Sequence, residues 1–325
     1  MDFLEEFPEQ IFRDILLRVP YKSQSKIKLM LKPAKEMIEC FDFYMNRIKF
    51  DLAKKYICLL HGSGISVYDP VDQSCELLST IPIGSEIPFT SHIITVNHKI
   101  VLLHLKHYLT ANIWIYDLLS RTWKQGAEIP TARSGTGFAC CASPEGSIYI
   151  AGGCAKYGNA HELREAAVYK VNEDKWELLP QMHEKVGSCR GLFIEGMFYV
   201  INNWNNGIQR FDPNTGIWTT IETMTAPNSW YVHFRGLIAF LWNGIQQYDW
   251  EGKGWRELEP LPQQLYPVRA TVWCDHIFLC GRQYYATSIH QSTIFYMYKP
   301  GAPLSERCIS IGLNLDVTSV ATIEI

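Results

Sequence analysis

A nine-residue frame recurs along the chain and limits what it can become: an aromatic residue, a residue that is usually aspartate, and a tryptophan six positions beyond the second. It reads "IYDLLSRTW" at Tyr116, Asp117 and Trp123, "RFDPNTGIW" at Phe211, Asp212 and Trp218, and "QYDWEGKGW" at Tyr248, Asp249 and Trp255. "VYKVNEDKW" keeps Tyr169 and Trp176 around Lys170, and "VYDPVDQSC" keeps Tyr68 and Asp69 with Cys75 in the tryptophan slot. The aromatic anchors at 68, 116, 169, 211 and 248 lie 48, 53, 42 and 37 residues apart. A period of roughly 40 to 50 residues, carried by short apolar strands between Gly, Pro, Asn and Asp turns, is the signature of a β-propeller with four strands per blade.

The third unit shows the pattern most fully, as "GFACCAS", "SIYIAGG", "EAAVYKV" and "KWELLP". The first unit opens at its second strand, with "YICLLHG", "ISVYD" and "CELLS", so it lacks an inner strand. The chain ends on "TSVATIEI", residues 318–325, a strand without a blade. Setting that strand into the gap predicts a six-bladed ring over 55–325 with no raw edge to aggregate. Trp123, Trp176, Trp218 and Trp255 are then core residues filling the seams between blades.

Residues 1–50 follow a different periodicity, which is helical. "PEQIFRDILLRV" puts Ile11, Ile15 and Val19 on one face after Pro8, and "SQSKIKLML" follows with Ser23 as N-cap and Ile27, Met30 and Leu31 turned inward. Pro33 opens a third run, with apolar residues from Ala34 to Ile48 every three or four positions. Three short helices bury too little to stand alone and need a surface to lean on. The short "RIKFDLAKK" connection leaves them little freedom.

The bulk properties exclude several classes. With 325 residues, 19% charged and a net charge of −3, the chain offers no electrostatic case for nucleic acid or an anionic membrane. Apolar runs such as "IVLLHL" are too short to span a bilayer, and the acidic "MDFLEEFPEQ" start has no secretory pattern. The cysteines scatter through strands without a CxxC pair, as thiols in a reducing compartment would, so the expected location is cytoplasmic, nuclear or both. His104 and His107 are three apart in or near a strand and point to opposite faces, and adjacent Cys140 and Cys141 do the same. No metal or other cofactor is expected.

The "AGG…VYKVNEDKWELLPQM" stretch, with Gly152, Gly153, Tyr169 and Trp176, resembles the kelch repeat; elsewhere "HG", "NN", "WN" and "CG" stand for the diglycine. The head resembles an F-box through Phe7–Pro8, "ILLRVPYKS", Lys26, Ile27, Lys28, Lys32 and Ile38. Ala34 stands where that motif usually has tryptophan, and Gln24 and Ser25 replace apolar residues. The whole chain is similar to the plant F-box/kelch-repeat proteins. That resemblance implies an all-β, six-bladed kelch-type propeller behind a small three-helix F-box-like domain. It also implies a non-catalytic substrate-recognition subunit of an SCF-type cullin-RING ubiquitin ligase, which docks on a Skp adaptor, and through it on cullin and RING subunits, and holds a protein client for ubiquitination and degradation. Some members of the group recruit phenylalanine ammonia-lyases, which are phenylpropanoid enzymes, or cytokinin response regulators.

For adaptor docking, an amphipathic helical face points to Pro8, Ile11, Ile15, Leu16, Val19, Pro20, Ile27 and Leu31. For the client, all second-to-third and fourth-to-first strand loops emerge at one end of the ring. They carry Arg133, Arg190, Trp230, Tyr266 and Arg269, and Tyr157, His161, Arg164, Trp204, Trp242, Arg282, Tyr284 and Tyr285, the residue types that dominate binding hot spots. Two other readings stay open: an interaction scaffold that does not use the adaptor, motivated by Ala34, Gln24 and Ser25, and a propeller enzyme acting on a small molecule.

Overall fold

The recurring frame closes one hairpin in each of five blades. In the computed structural model each aromatic anchor lies directly across the ladder from the tryptophan slot: Tyr68 opposite Cys75, Tyr116 opposite Trp123, Tyr169 opposite Trp176, Phe211 opposite Trp218 and Tyr248 opposite Trp255. The aspartate makes the turn between them. Asp69 Oδ1 accepts the N–H groups of Val71 and Asp72, Asp117 those of Leu119 and Ser120, and Asp249 those of Glu251 and Gly252, over 2.9–3.3 Å. Such Asx turns satisfy backbone donors that the ladder leaves over. The residue two before the tryptophan slot takes a positive φ, at Gln73 (50°), Arg121 (59°), Asp174 (53°) and Gly216 (70°), which reverses the chain in so few residues.

The structure describes residues 8–62, 64–83, 87, 91–106, 110–131, 133, 137–155, 161–203, 207–221, 229–241, 244–252, 254–260, 265–283, 293–302, 308–313 and 315–325. For 105, 106, 110, 111, 259, 266, 267, 283 and 308–310 it gives the strand assignment alone.

Strands β1 (Lys55–His61), β2 (Gly64–Asp69) and β3 (Ser74–Thr80) make most of the first blade. The second holds β4 (His92–Val96), β5 (Lys99–Lys106), β6 (Thr110–Asp117) and β7 (Thr122–Gln125). The third holds β8 (Ala139–Ala142), β9 (Ser147–Ala151), β10 (Ala166–Lys170) and β11 (Lys175–Leu179). In the fourth are β12 (Cys189–Ile194), β13 (Met197–Asn202), β14 (Ile208–Asp212) and β15 (Ile217–Ile221). The fifth has β16 (Trp230–His233), β17 (Leu237–Phe240), β18 (Ile245–Asp249) and β19 (Gly254–Glu259). The sixth has β20 (Leu265–Trp273), β21 (His276–Gln283), β22 (Ile294–Tyr298) and β23 (Cys308–Ile311). Strand β24 (Val317–Glu324) then pairs antiparallel with β1, Lys55 opposite Glu324 and Cys58 opposite Ala321, and completes the first blade as its inner strand. The six inner strands, β4, β8, β12, β16, β20 and β24, neighbour one another around a ring.

The tryptophans tie the second, third and fourth blades each to the one before. Trp123 Nε1 donates to Ser79 Oγ, Trp176 Nε1 to Ala127 O and Trp218 Nε1 to Pro180 O, at 2.8, 3.0 and 2.8 Å. Their rings, and that of Trp255, lie 4.9–5.2 Å from the aromatic anchors. The diglycine survives in the third blade for a steric reason. Both residues have positive φ, and a Cβ on Gly152 would meet Val186 O at 2.8 Å while one on Gly153 would meet Phe138 Cβ at 3.0 Å.

Among its described residues the head has four short helices rather than three: α1 (Glu9–Arg18), α2 (Tyr21–Met30), α3 (Lys32–Ile38) and α4 (Phe41–Lys49). The run expected from Pro33 to Ile48 breaks where Cys40 turns extended (φ −78°, ψ 137°). The periodicity survives the break because each piece keeps its own inward face. Ala34 and Ile38 of α3 and Phe43 of α4 can then meet Leu16 and Leu17 of α1 in one cluster, which a straight rod could not fold over. Helix α2 also begins earlier than Ser23, directly after Pro20. Buried Arg47 staples the pieces, with Nη1 donating to Leu17 O and Val19 O and Nη2 to Leu52 O, at 2.5, 2.7 and 2.8 Å.

This head leans on the first two blades. Tyr21 and Tyr44 join a cluster with Tyr56, Cys58, Leu118 and Ile323. Around it Tyr21 OH donates to Leu118 O (3.3 Å), Lys28 Nζ donates to Leu119 O, and Lys22 pairs with Glu76 (3.0 Å). Phe41 and Tyr44 pack on His98 at 5.4 and 5.3 Å. The partners lie in the turns β4–β5 and β6–β7 and beside the turn β2–β3, so the head covers the end of the ring that carries first-to-second and third-to-fourth strand turns.

Removing β24 should expose β1 as an open edge and take away the seat of the head; truncation after Asp316 is expected to give insoluble or protease-sensitive protein, and a soluble product with wild-type melting would contradict the closure. A subtler effect sits at Asp117. Burial alone would raise its pKa, but hydrogen bonds from His98 and from the Ser120 and Leu119 N–H groups outweigh burial and hold the carboxyl at about 2. Since an unfolded aspartate titrates at about 3.9, this carboxylate stabilises the fold above that pH and the contribution fades as pH falls toward 2. Asp117→Asn should therefore be less stable at neutral pH in urea unfolding and lose less on acidification than wild type; parallel pH profiles would show that the pair contributes nothing.

Candidate functional site

The eight head residues expected to dock an adaptor divide by exposure. Ile11 and Ile15 are 48% and 51% exposed, and Pro8 and Pro20 are exposed as well. At about 100° per residue, Ile11 and Ile15 share one face of α1 while Leu16 and Leu17 turn away from it. Leu16, 2% exposed, belongs to the head's own core, so its expected place on the docking face is corrected. Val19, Ile27 and Leu31 are half-buried, the last two against that same core. Val19 also spends its carbonyl on Arg47 and on Gln24 Nε2 (3.2 Å).

Sequence reasoning missed the most exposed apolar pair in the head. Leu29 and Met30 are 89% and 79% exposed at the end of α2, and Phe41, Met45 and Phe50 are also exposed. Met30, expected to face inward, points out. The signal was available: Leu29 lies about 200° round the helix from Ile27, so the two cannot share a buried face. The motif's departures fall inside the head instead. Ala34 is fully buried among the helices, and buried Gln24 donates to a neighbouring carbonyl.

The positions expected to meet a client are described only in part. Tyr157, Trp204, Trp242, Tyr284 and Tyr285 are outside the described residues, and for Tyr266 only its place in β20 is described. His161 and Arg164 are exposed on the connection between β9 and β10. Arg133 is a correction. It is 1% exposed and donates to Gly152 O, Thr131 O and Glu165 O at 2.9, 3.1 and 2.8 Å, so it ties the third blade's loop down rather than reaching outward.

Arg190, Trp230 and Arg269 sit within inner strands rather than in the loops before them, at the strand ends nearest those loops or, for Arg269, within β20. The guanidinium carbons of Arg190 and Arg269 lie over the Trp230 ring, 4.8 and 5.0 Å from its centroid. Arg282, at the end of β21, donates Nε to Asp316 Oδ1 at 3.2 Å. Behind Trp230 a channel of about 390 Å³ runs between the inner strands, lined by His92, Phe138, Cys140, Cys141 and Arg190 among others. Burial, with Arg190 and Arg269 nearby, pushes the His92 imidazole down to about 3, so it is neutral. Burial raises the Cys140 thiol to about 12 and the Cys141 thiol well above its usual value. The two thiols pack into different seams, as strand alternation requires. Among the described residues no group of three or more His, Cys, Asp and Glu side chains could hold a metal ion, and no helix is long and apolar enough to cross a membrane.

No protein-family model matches the chain. Three Arabidopsis thaliana proteins are similar to it over most of its length. F-box/kelch-repeat protein At1g15670 is 24% identical, covering 67% of this chain and 69% of the relative. F-box/kelch-repeat protein At1g80440 is 23% identical over 82% of this chain and 84% of its own. F-box/kelch-repeat protein SKIP20 is 23% identical over 69% and 67%. The chain, a six-bladed ring built on repeated aromatic hairpins with a helical head before it, is thus similar over most of its length to plant F-box/kelch-repeat proteins.

Proposed function

We propose that this protein is the substrate-recognition subunit of an SCF-type ubiquitin ligase, its head docking on a Skp adaptor and the far end of its propeller holding a protein client. One observation carries the reading. The head keeps Ile11, Ile15, Leu29 and Met30 in solvent although it has a core and a propeller surface to bury them in. Exposed apolar side chains on two short helices mark surfaces made to be covered. The altered motif positions, Ala34 and Gln24, affect packing within the head and leave that face in place, which favours docking over an adaptor-independent scaffold. Against a propeller enzyme stands the chemistry of the channel: a histidine held neutral and thiols held protonated lack the tuned pKa values of an acid–base or nucleophilic pair.

In this reading the subunit itself is not catalytic, and its work is spatial. The first two blades seat the head at one end of the ring, while the connections between second and third strands and between blades open at the other. A client held there is offered away from the adaptor side.

Co-purification of the full chain with a purified Skp adaptor tests the proposal. Ile15→Asp should abolish capture while leaving the melting temperature nearly unchanged, since substitutions at exposed sites usually cost no more than about 0.5 kcal/mol. Leu16→Asp is not a fair test because it would bury a charge in the head's core. Undiminished capture by a folded Ile15→Asp, or by Leu29→Asp with Met30→Asp, would show that this face does not dock.

A further inference from the structure

From Ile15 to Lys35 the chain carries Arg18, Lys22, Lys26, Lys28, Lys32 and Lys35 and no aspartate or glutamate, in a protein whose net charge is −3. The fold sorts the lysines into two sets. Lys22 and Lys28 turn inward: Lys22 pairs with Glu76 at 3.0 Å, and Lys28 pairs with Glu39 at 2.8 Å and donates to Leu119 O. Lys26, Lys32 and Lys35 are exposed. Among the described residues Lys26 and Lys35 have no carboxylate within ion-pair distance, and Lys32 has only Glu36 at 3.9 Å, with both side chains largely in water. So exposed a pair holds little of the charge.

The same end of α2 carries the head's most exposed apolar pair. Lys26 lies three and four positions before Leu29 and Met30, so on a helix it shares their side. The opposite side is already used: Tyr21 packs on the ring, Ile27 on the head's core, and Gln24 is buried. Helix α2 stops at Leu31, which turns extended (φ −133°, ψ 109°), and Pro33 opens α3 within its first turn. Leu31 packs against the head's core. Leu29 and Met30, 89% and 79% exposed, therefore sit on a corner fixed from behind, with Lys26 before it and Lys32 after it.

Charge and apolar surface together select the partner. A phosphate backbone would meet the lysines and leave Leu29 and Met30 in water. An anionic membrane must attract the whole chain, whose net charge is negative, whereas a protein can set its carboxylates locally. We propose that the adaptor surface receiving the end of α2 is acidic, with carboxylates around an apolar floor. Leu29 and Met30 fill the floor, and Lys26, Lys32 and Lys35 face the rim. The inference rests on the reading of the head as the adaptor end and adds the chemistry of the partner. Rim charges of this kind act on encounter, speeding association more than they slow release, while the buried apolar pair governs release.

The test is surface plasmon resonance of the full chain on an immobilised, purified Skp adaptor. Association should slow severalfold as salt rises and the Debye length shrinks from about 30 Å to about 10 Å. Lys26→Glu and Lys35→Glu should each slow association by about threefold or more, with dissociation nearly unchanged. Lys185→Glu, an equal change of charge at an exposed lysine between β11 and β12, should leave both rates as in wild type. Leu29→Ala with Met30→Ala should instead speed dissociation by about tenfold. A salt-independent association rate, or Lys26→Glu and Lys35→Glu no slower than Lys185→Glu, would overturn the proposal. So would retention of the full chain on phosphatidylserine vesicles that Lys26→Glu abolishes, which would give this corner to lipid. Capture with salt-insensitive association removes the acidic surface alone, whereas no capture at all removes the adaptor role and this inference with it.

Discussion

Everything in this molecule depends on the pairing of β24 with β1. The last strand of the chain supplies the inner strand of the first blade, so the ring is closed by hydrogen bonds between residues more than 250 positions apart. The same strand seats the head. Beyond the ladder, Lys54 and Ile325 exchange a reciprocal pair of backbone bonds (2.8 and 3.0 Å), and Lys54 also reaches Asp69 at 2.6 Å. Ile323 and Ile325 lie in one cluster with Tyr21 and Tyr44 of the head. The strand that closes the ring also packs against the helices, and such a long-range closure makes folding slow relative to local hairpins.

That coupling gives the head a defined place. A three-turn helix rarely holds its shape by itself, but here Arg47 ties α4 to the end of α1 while Phe41 and Tyr44 press on His98 of the second blade. What the head does not bury then becomes meaningful. Ile11, Ile15, Leu29 and Met30 stay in solvent on a head packed against one end of a ring whose other end carries Arg190, Trp230 and Arg269. Two surfaces held at opposite ends of one ring are what the proposed bridging role requires.

Much of the ring was legible from sequence because one local rule repeats. The aromatic, the aspartate and the tryptophan are set by a hairpin whose geometry is short-range, and the missing inner strand follows from counting. The head was less legible. Helical periodicity places residues on faces but does not say which face looks inward, and Ile11 and Ile15 proved to be outside while Leu16 and Leu17 are inside. Nor could it show the break at Cys40, since the apolar spacing runs through it. At the end proposed to hold a client, residue type pointed to arginine and tryptophan without separating Arg133, which satisfies three carbonyls in the interior, from Arg190 and Arg269, which stack on Trp230. That difference is tertiary: it depends on which blade's loop each guanidinium meets.

Hydrogen exchange on the full chain, alone and with a purified Skp adaptor, tests the bridging arrangement most directly. Added protection should appear in α1 and the C-terminal half of α2, with α4 and β24 slow to exchange in both states because the head is already fixed to the ring. Protection concentrated instead at the inner strands around Trp230, or fast exchange in α4 before the adaptor arrives, would contradict a rigid head that offers its apolar face at one end and leaves the other free for a client.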